Sequence, residues 1–316
     1  MSGKPPISAP PLTGERDDLN HPISEGDASQ SSKHSYAPQN TKLDAALYVV
    51  ATPIGNLRDV TLRALDVLSG ADIILAEDTR QTRKLLEAYD INTPLSAYHD
   101  HNAAKRIPAL LERLGGGAAI ALVSDAGTPL VSDPGFKLAR AASGAGFKVV
   151  PLPGASAVLA ALVTAGLPSD QFTFAGFLPA KSSARKTELT KLSAVPGTLI
   201  MFESPARLAA SLSDMHEVLG DRPAALAREL TKRYEETRRG LLSELISSVE
   251  DDAPRGEIVV LIGAGADKGI WGEAEIDAAL IDAAPSQGVG RASAAIAQLS
   301  GWKKRDVYKR ALNLKL

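Results

Sequence analysis

The richest group of chemically useful residues is a twelve-residue loop, SDAGTPLVSDPG at 124–135. Its glycines, Gly127 and Gly135, permit a positive φ and a close approach of the backbone to a ligand. Its prolines make the loop rigid. Asp125 or Asp133 is placed to meet a cation or a pair of hydroxyl groups. This composition favours a ligand-binding loop over an ordinary connection between a strand and a helix.

Three other loops also lie directly after apolar runs. They are TPIGN at 52–56, EDTR at 77–80 and PLPGASA at 151–157. In open α/β sheets, ligands bind outside the carboxyl ends of the strands. The four loops together therefore predict one ligand site at one edge of a sheet.

Charged and polar side chains near these loops are candidates for proton transfer or phosphate binding. Glu77 and Asp78 leave a predicted strand together, so they lead as candidates for a general base. Arg80, Arg83 and Lys84 share a helix face, which suits either phosphate groups or solvent. The other candidates are His99, His101, Asn102, Glu203, Arg207, Arg228, Glu229 and Lys232. For those in the second half of the chain, surface ion pairs are the alternative.

Several catalytic classes are excluded by what the sequence lacks. The chain has no cysteine, which removes disulfides, thiolate metal sites and cysteine nucleophiles. It has no GxxxxGK(S/T) loop, no HExxH, and no GxGxxG after the first strand. His99 and His101 lack a third ligand at metal spacing, so no metal site is predicted. Ser156 fits a hydrolase nucleophile only in part, because Val158 stands where that motif needs glycine. A helix N-cap is favoured for Ser156.

Apolar runs alternate with helical stripes along most of the chain. The predicted strands lie at 47–55, 71–79, 118–129, 147–154, 172–179, 197–205, 223–231 and 256–265. The predicted helices lie at about 60–68, 80–89, 156–166, 183–193, 206–218 and 241–248. This alternation predicts an α/β fold with a mostly parallel sheet, followed by a second α/β layer whose strand order is open.

Four segments are predicted. They are a disordered tail at 1–45, an N-terminal α/β domain at 46–166, a C-terminal α/β domain at 167–267 and a basic helix-turn-helix module at 268–316. The tail holds six prolines and seven serines and few clustered aliphatic residues. The last segment shows two helical stripes separated by Gly301. No apolar run reaches the roughly 20 residues of a membrane span, and no secretory signal begins the chain, so a cytoplasmic location is predicted.

The net charge of −2 is an average over two unlike parts of the chain. Residues 286–316 carry seven basic residues and one acidic residue, a net charge of +6, which leaves −8 on the remainder. Near neutrality excludes a uniformly basic nucleic-acid coat protein, but it leaves room for a local basic patch. Lys303, Lys304 and Arg305 are the candidates for such a patch.

The order of these motifs resembles that of the ribosomal RNA small subunit methyltransferase I family, within the tetrapyrrole methylases. The resemblance covers roughly 46–316, and the long N-terminal tail is the one departure from the pattern. The shared motifs are TPIGNLRDVTLRAL, AEDTRQTRKLL, SDAGTPLVSDPG, PLPGASA, GFLP, FESPARL, ARELTKRYEE and SGWKKRDVYKRAL.

The resemblance implies a two-domain tetrapyrrole methylase-like fold with S-adenosylmethionine in the interdomain cleft, plus a small C-terminal helix-turn-helix. It implies methyl transfer by a homodimer to the ribose 2′-hydroxyl of a cytidine in the decoding centre of 16S rRNA, in the small ribosomal subunit. The implied cofactor-binding residues are Pro53, Ile54, Gly55, Asp125, Ala126, Gly127, Thr128, Pro129, Val131, Ser132, Ser156, Ala157, Met201, Phe202, Leu226 and Ala227. The candidate substrate-binding residues are Asn56, Arg80, Arg83, His99, Asn102, Glu203, Arg207, Arg228, Glu229, Lys232, Lys303, Lys304 and Arg305.

Three other functions remain open at this point. A methylase of a small tetrapyrrole would need an apolar trough and no separate basic tail. A ribosome-assembly factor without catalysis would bind RNA but not S-adenosylmethionine. A serine hydrolase would use Ser156 as its nucleophile.

Overall fold

The computed structural model describes residues 42–132, 134–265 and 272–315. The tail predicted at 1–45 therefore lies almost wholly outside the described residues, as does Asp133. None of the helices in the described ranges is both long enough and apolar enough to cross a membrane.

The first sheet is parallel throughout and has five strands. They are β1 (Ala46–Val50), β2 (Ile73–Ala76), β3 (Leu95–Ala97), β4 (Ala119–Val123) and β5 (Val149–Leu152). The helices of this half are α1 (Leu62–Gly70), α2 (Thr79–Ala88), α3 (Asp100–Gly115) and α4 (Phe136–Gly144). All residues of β2 and β4 are buried, which explains their continuous apolar runs, because helices cover both faces of a parallel sheet.

The strand order fixes where this sheet binds a ligand. The order is β3-β2-β4-β1-β5, so β1 and β4 are neighbours. The connection that leaves β1 passes β4 to reach β2, and the connection that leaves β4 passes β1 to reach β5, so the two run in opposite directions along the sheet. Neighbouring strands whose connections leave in opposite directions form a topological switch point, and the crevice beyond their carboxyl ends is the usual binding site of such sheets. The loops at 52–56 and 124–135 lie there.

The second sheet is mixed. Its strands are β6 (Phe172–Phe177), β7 (Thr198–Glu203), β8 (Pro223–Arg228), β9 (Glu236–Leu241) and β10 (Ile258–Ile262), in the order β6-β7-β10-β8-β9. Only β6 and β7 are parallel, and β10 runs antiparallel to both of its neighbours. One face packs against α6 (Ser182–Leu192), α7 (Pro205–Leu219) and α8 (Leu242–Asp251).

Helix α5 (Ala157–Ala165) lies between the two halves in sequence but packs on the second sheet. Ala161 and Leu162 are buried against Val259 and Leu261 of β10. The Ser156 side chain accepts the Leu159 N–H as an N-cap, and Gly166 at φ +70° ends the helix in the left-handed conformation. The start of α5 is thereby fixed beside the crevice of the first sheet.

The C-terminal segment is a three-helix unit rather than two helices alone. Helices α9 (Glu273–Gln287), α10 (Val289–Ser300) and α11 (Lys304–Asn313) share one apolar core. Ile276 and Leu280 of α9 are fully buried in that core. Arg310 of α11 pairs with Asp277 and Glu273 of α9, so one of the seven basic residues of 286–316 forms its ion pairs inside the module.

Candidate active site at the domain cleft

A cleft of about 420 Å³ opens beyond the carboxyl ends of β1 and β4 and faces the second sheet. This volume is within the usual range for a small-molecule site. Most of the predicted cofactor residues from the first half lie on its wall. They are Ile54, Asp125, Ala126, Gly127, Thr128, Val131, Ser132, Ser156 and Ala157. Pro53 and Gly55 line an adjoining pocket, whereas Pro129 is buried within the loop.

Backbone hydrogen bonds hold the switch-point loops together. Thr52 and Gly127 exchange a reciprocal pair of N–H···O bonds, each 2.9 Å long. The Thr128 hydroxyl donates to the Ala155 carbonyl over 3.1 Å, which links the loop at 124–135 to the start of α5. The EDTR loop joins them because the Asp78 N–H donates to Asp125 Oδ1 at 2.8 Å. All four sequence-predicted loops therefore meet at one edge.

Strained backbone is concentrated around the cleft. Leu130 (φ +73°) and Ser132 (φ +66°) lie on the first-half side, and Glu229 (φ +49°) and Thr231 (φ +65°) follow β8 on the other side. Positive φ is costly for residues other than glycine and is typical of binding sites held in shape by their surroundings. The loop after β8 also touches the loop at 52–56, since the Asn56 N–H donates to the Thr231 hydroxyl over 3.1 Å.

The wall from the second sheet is apolar. The Phe202 ring packs edge-on against Phe174 and Phe177, with centroids 4.8 and 5.5 Å away, and Phe177 is 59% exposed towards the opening. Phe202, a predicted cofactor residue, therefore lies on the cleft wall. Met201 and Leu226 do not reach the cleft, because they face the core formed with α6, α7 and α8. Ala227 packs under α5.

Two of the lining residues lie just before a strand and are not among the predicted site residues. Gly256 and Glu257 immediately precede β10. Because β10 is antiparallel to β7 and β8, its amino end meets their carboxyl ends, and Ile258 pairs with Glu203 and Arg228. A search of the carboxyl ends of strands could not have found Glu257, and no motif marks it.

Asp78, one of the two predicted bases, is occupied by structural contacts. Its carboxylate caps α2 by accepting the Arg80 N–H at 2.8 Å, and it pairs with Arg80 Nη2 at 2.7 Å. Chiefly through these hydrogen bonds from Arg80, the pKa of Asp78 falls from 3.8 to about 2. A carboxylate of such low basicity is a poor proton acceptor near neutral pH.

We expect the Asp78 carboxyl signal in an NMR titration to have its midpoint near pH 2. Because this pKa lies below the unfolded value, the stability supplied by the carboxylate is present above about pH 4 and is lost as the pH falls through the folded pKa. Asp78→Asn keeps a good N-cap residue, so we also expect methyl transfer to persist in that variant. A midpoint near 4, or abolished transfer in Asp78→Asn, would contradict this assignment.

Glu203 and Arg207, both predicted substrate residues, form a buried network with each other. The Glu203 side chain is 1% exposed and accepts hydrogen bonds from the Ser211 hydroxyl at 2.5 Å and the Ser204 N–H at 2.8 Å. Arg207 pairs with it at 3.2 Å and donates to the Leu178 carbonyl at 2.6 Å. This network stabilises the cleft wall. It occupies most of the hydrogen-bonding groups of both side chains, so few are left to contact RNA.

Arg228, Glu229 and Lys232 also contact the protein itself. Arg228 pairs with Glu236 at 3.0 Å. Glu229 accepts hydrogen bonds from the Glu257 N–H at 3.0 Å and from Lys232 Nζ at 2.9 Å, and these two contacts, in that order, lower the pKa of Glu229. Burial lowers the pKa of Lys232, but hydrogen bonds and charge from Glu229 and Glu257 outweigh it, so that the net shift is upward.

His99 and Asn102 lie at the start of α3, beyond the carboxyl end of β3. The Asn102 amide bonds back to the His99 N–H and to the Ala97 carbonyl, which closes the first turn of the helix. The His99 and His101 rings are 6.0 Å apart. Within the described ranges, no group of three His, Asp or Glu side chains is arranged to hold a metal ion.

The predicted phosphate-binding cations differ in how free they are. Arg80 is 87% exposed at its side chain although it pairs with Asp78. Arg83 on α2 is exposed, as are Lys303, Lys304 and Arg305 at the start of α11. These side chains are available to contact an external anion in a way that Arg207 and Arg228 are not.

Ser156 acts as a helix cap, with its hydroxyl 3.5 Å from the Leu159 N–H that it accepts. No histidine in the described residues is hydrogen-bonded to it. We expect Ser156→Ala to lower the free energy of unfolding by about 1 kcal/mol, the usual cost of losing an N-cap. Urea denaturation measures this. Esterase activity that is present in the wild type and lost in Ser156→Ala would instead support the hypothesis of a serine hydrolase.

Comparison with known proteins agrees with this geometry. Residues 46–246 match the tetrapyrrole (corrin/porphyrin) methylases, and residues 272–315 match the RsmI C-terminal HTH domain. The chain is 52% identical over 278 residues to the ribosomal RNA small subunit methyltransferase I of Mesorhizobium japonicum, a match spanning 86% of this chain and 93% of the relative. The corresponding protein of Escherichia coli O157:H7 is 47% identical over 271 residues, with 84% and 94% covered.

Solved structures extend the likeness of the fold. A diphthine synthase structure superposes with a TM-score of 0.56 at 16% identity, covering 69% of this chain and 89% of that one. The methyltransferase CobJ gives a TM-score of 0.53 at 21% identity, covering 70% and 95%. The fold predicted from the motifs is confirmed, and so is the family: the chain belongs to the ribosomal RNA small subunit methyltransferase I family of tetrapyrrole methylases.

Proposed function

We propose that this protein transfers a methyl group to the ribose 2′-hydroxyl of a cytidine in the decoding centre of 16S rRNA. Membership of the family supports the coarser activity, methyl transfer to the RNA of the small ribosomal subunit. The methyl donor is S-adenosylmethionine. The observation that carries the proposal is the cleft at the switch point, which is lined by residues of the loops at 52–56, 124–135 and 151–157 and of the motifs GFLP and FESPARL.

The residues of the cleft fit that donor. Gly127, at φ +78°, has no side chain, so its backbone is exposed to a ligand at the cleft wall. The side chains of Val131, Phe177 and Phe202 offer apolar surface for a purine ring. Asp125 stands at the rim and suits a hydroxyl pair or a positive charge. Methyl transfer from a sulfonium needs in-line approach of the acceptor oxygen, so the protein's main contribution is orientation.

Exposed cations supply the RNA contacts in this proposal. Arg80 and Arg83 lie on α2, the helix that lines the pocket adjoining the cleft, and Lys303, Lys304 and Arg305 lie at the start of α11. Phosphate contacts position an RNA on the protein. The cleft then determines which of its atoms reaches the methyl donor. A small tetrapyrrole would give the separate basic module no role, which favours RNA over the tetrapyrrole alternative.

Two measurements test the proposal. We expect calorimetry to detect S-adenosylmethionine binding, and we expect labelled methyl to pass from it to small subunits isolated from a strain that lacks this enzyme. No heat at millimolar ligand would favour the assembly factor without catalysis. Transfer to a small tetrapyrrole but not to subunits would favour the other methylase.

The homodimer and the cytoplasmic location stay predictions. For the dimer, we expect light scattering to give about twice the 33.1 kDa chain mass. A mass equal to that of one chain would contradict it.

A further inference from the structure

A second pocket of about 240 Å³ adjoins the cleft. Thr52, Pro53 and Gly55 line one side, and Gln81 and Lys84 of α2 line another. The two cavities share four wall residues, which are Ile54, Asp125, Ala126 and Glu257. If the donor occupies the larger cavity, an acceptor in the smaller one meets the methyl group across this shared border.

Two of the four shared residues carry a titratable side chain. Asp125 already uses Oδ1 to accept the Asp78 N–H at 2.8 Å. The Glu257 carboxylate is 75% exposed, and its contact among the described residues is with Lys232 Nζ at 3.2 Å. Glu257 therefore has free acceptor positions on the border between the pockets.

The backbone of Glu257 is fixed although its carboxylate is open. Its N–H donates to Glu229 Oε1 at 3.0 Å, and its carbonyl accepts the Glu229 N–H at 3.0 Å. Gly256 sits at φ +88°, and any Cβ there would collide with the Glu229 side chain. This tight packing positions Glu257 at the border without consuming its carboxylate.

The charged groups around Glu257 come from several elements. Lys232 and Glu229 face it from the loop after β8, and Asp125 faces it from the loop after β4. Glu203 lies at the end of β7, where Ser211, Arg207 and the Ser204 N–H saturate it. Across the smaller pocket stands Lys84 of α2, held by Gln81 at 2.7 Å.

We propose that Glu257 is the catalytic base, and that the smaller pocket receives the acceptor nucleotide with Lys84 at its outer wall. This rests on the proposed function. The hydroxyl oxygen forms its bond to the methyl carbon as the carbon–sulfur bond breaks. The electron pair of the broken carbon–sulfur bond stays on sulfur. The hydroxyl proton passes to the Glu257 carboxylate, which Lys232 orients. Loss of a general base typically costs 10²- to 10⁴-fold in rate.

The test is single-turnover methyl transfer to unmethylated small subunits by Glu257→Gln, over a pH range from about 5 to about 9. We expect unchanged affinity for S-adenosylmethionine and for the subunit, and a rate lower by on the order of 100-fold or more throughout this range. Glu250→Gln, an exposed residue of α8 outside both pockets, is the matched control and should behave as wild type.

Two results would overturn the inference. They are a wild-type rate in Glu257→Gln, and a defect in that variant that appears as weaker binding with the rate constant intact. Each of these leaves the proposed function standing, because the wild type still methylates the subunit. Failure of the wild-type protein to transfer any methyl group would contradict the proposed function, and it would also contradict the assignment of Glu257 as the base.

Discussion

Gly127→Val is expected to weaken S-adenosylmethionine binding strongly. Residue 127 holds φ +78°, and a Cβ there would lie 3.3 Å from Ile54 Cγ2 and 3.7 Å from the Ala155 carbonyl oxygen. Both neighbours belong to the cleft wall, so the branched side chain would enter the space where the backbone meets the ligand. Overpacking of about 1–3 kcal/mol corresponds to a loss of affinity of up to roughly 100-fold. Calorimetry measures it.

The matched control is Gly117→Val. Gly117 has φ +94° and nothing within 4 Å of an added Cβ, and it precedes β4 at the opposite edge of the sheet. Both substitutions carry the strain of a left-handed backbone, about 1–3 kcal/mol, but only the first touches the cleft. Normal cofactor binding by folded Gly127→Val would show that the loop at 124–135 is not the cofactor loop.

Replacing Lys303, Lys304 and Arg305 together by glutamine is expected to weaken binding to the small subunit and to flatten its dependence on salt. All three side chains are exposed at the start of α11. Each lost phosphate contact makes the slope of log affinity against log salt less steep by about 0.7–0.9, so the loss of three contacts makes it less steep by about 2–3. Filter binding at several salt concentrations gives the slope, and cofactor affinity should not change.

A triple replacement of Arg113, Arg140 and Lys148 by glutamine removes the same charge. These exposed residues lie on α3, on α4 and just before β5, away from the cleft. The slope should stay at its wild-type value in that variant. An equal change in both triple variants would mean a general charge effect, with no role for the C-terminal module.

A point-substitution test suits the module better than deletion of 286–316. Helices α9, α10 and α11 share one core in which Ile276 and Leu280 of α9 pack beside Val307 and Ala311 of α11. Removing α10 and α11 would expose the apolar face of α9, and the loss of RNA binding would be confounded with misfolding.

The elements that the sequence predicted well are those with long apolar runs. Strands such as AIALV and IVVLI are buried on both faces, so their composition alone identifies them. Strand β3 was missed because it has three residues and is partly exposed. Strand β9, ETRRGL, was missed because it is a charged edge strand whose partner is β8, a contact that local patterning does not reveal.

The candidate site was predictable where it depends on the parallel sheet. The loop rule placed Gly127, Asp125 and Ser156 together, and the structure brings them to one cleft. The rule failed at Glu257, because the antiparallel β10 presents its amino end there. The rule also does not predict which side chains of a strand face the core, and those of Met201 and Leu226 do.

Charge on a side chain proved a weak guide to function in this chain. Arg207 pairs with Glu203 in the cleft wall, whereas the cations at the start of α11 are exposed. The sequence shows how many charges there are and where they lie along the chain. Which of them already have partners depends on contacts between distant segments, and only the fold supplies that.

The central claim is methylation of a cytidine ribose in 16S rRNA, and mass spectrometry of that RNA tests it most directly. The RNA is taken from a strain lacking this gene, and from the same strain carrying the wild-type gene or Gly127→Val. We expect one ribose methyl group on a decoding-centre cytidine to be missing without the gene, restored by the wild type and not by the variant. An unchanged methylation pattern without the gene, or a missing methyl group on a base instead of a ribose, would contradict the account.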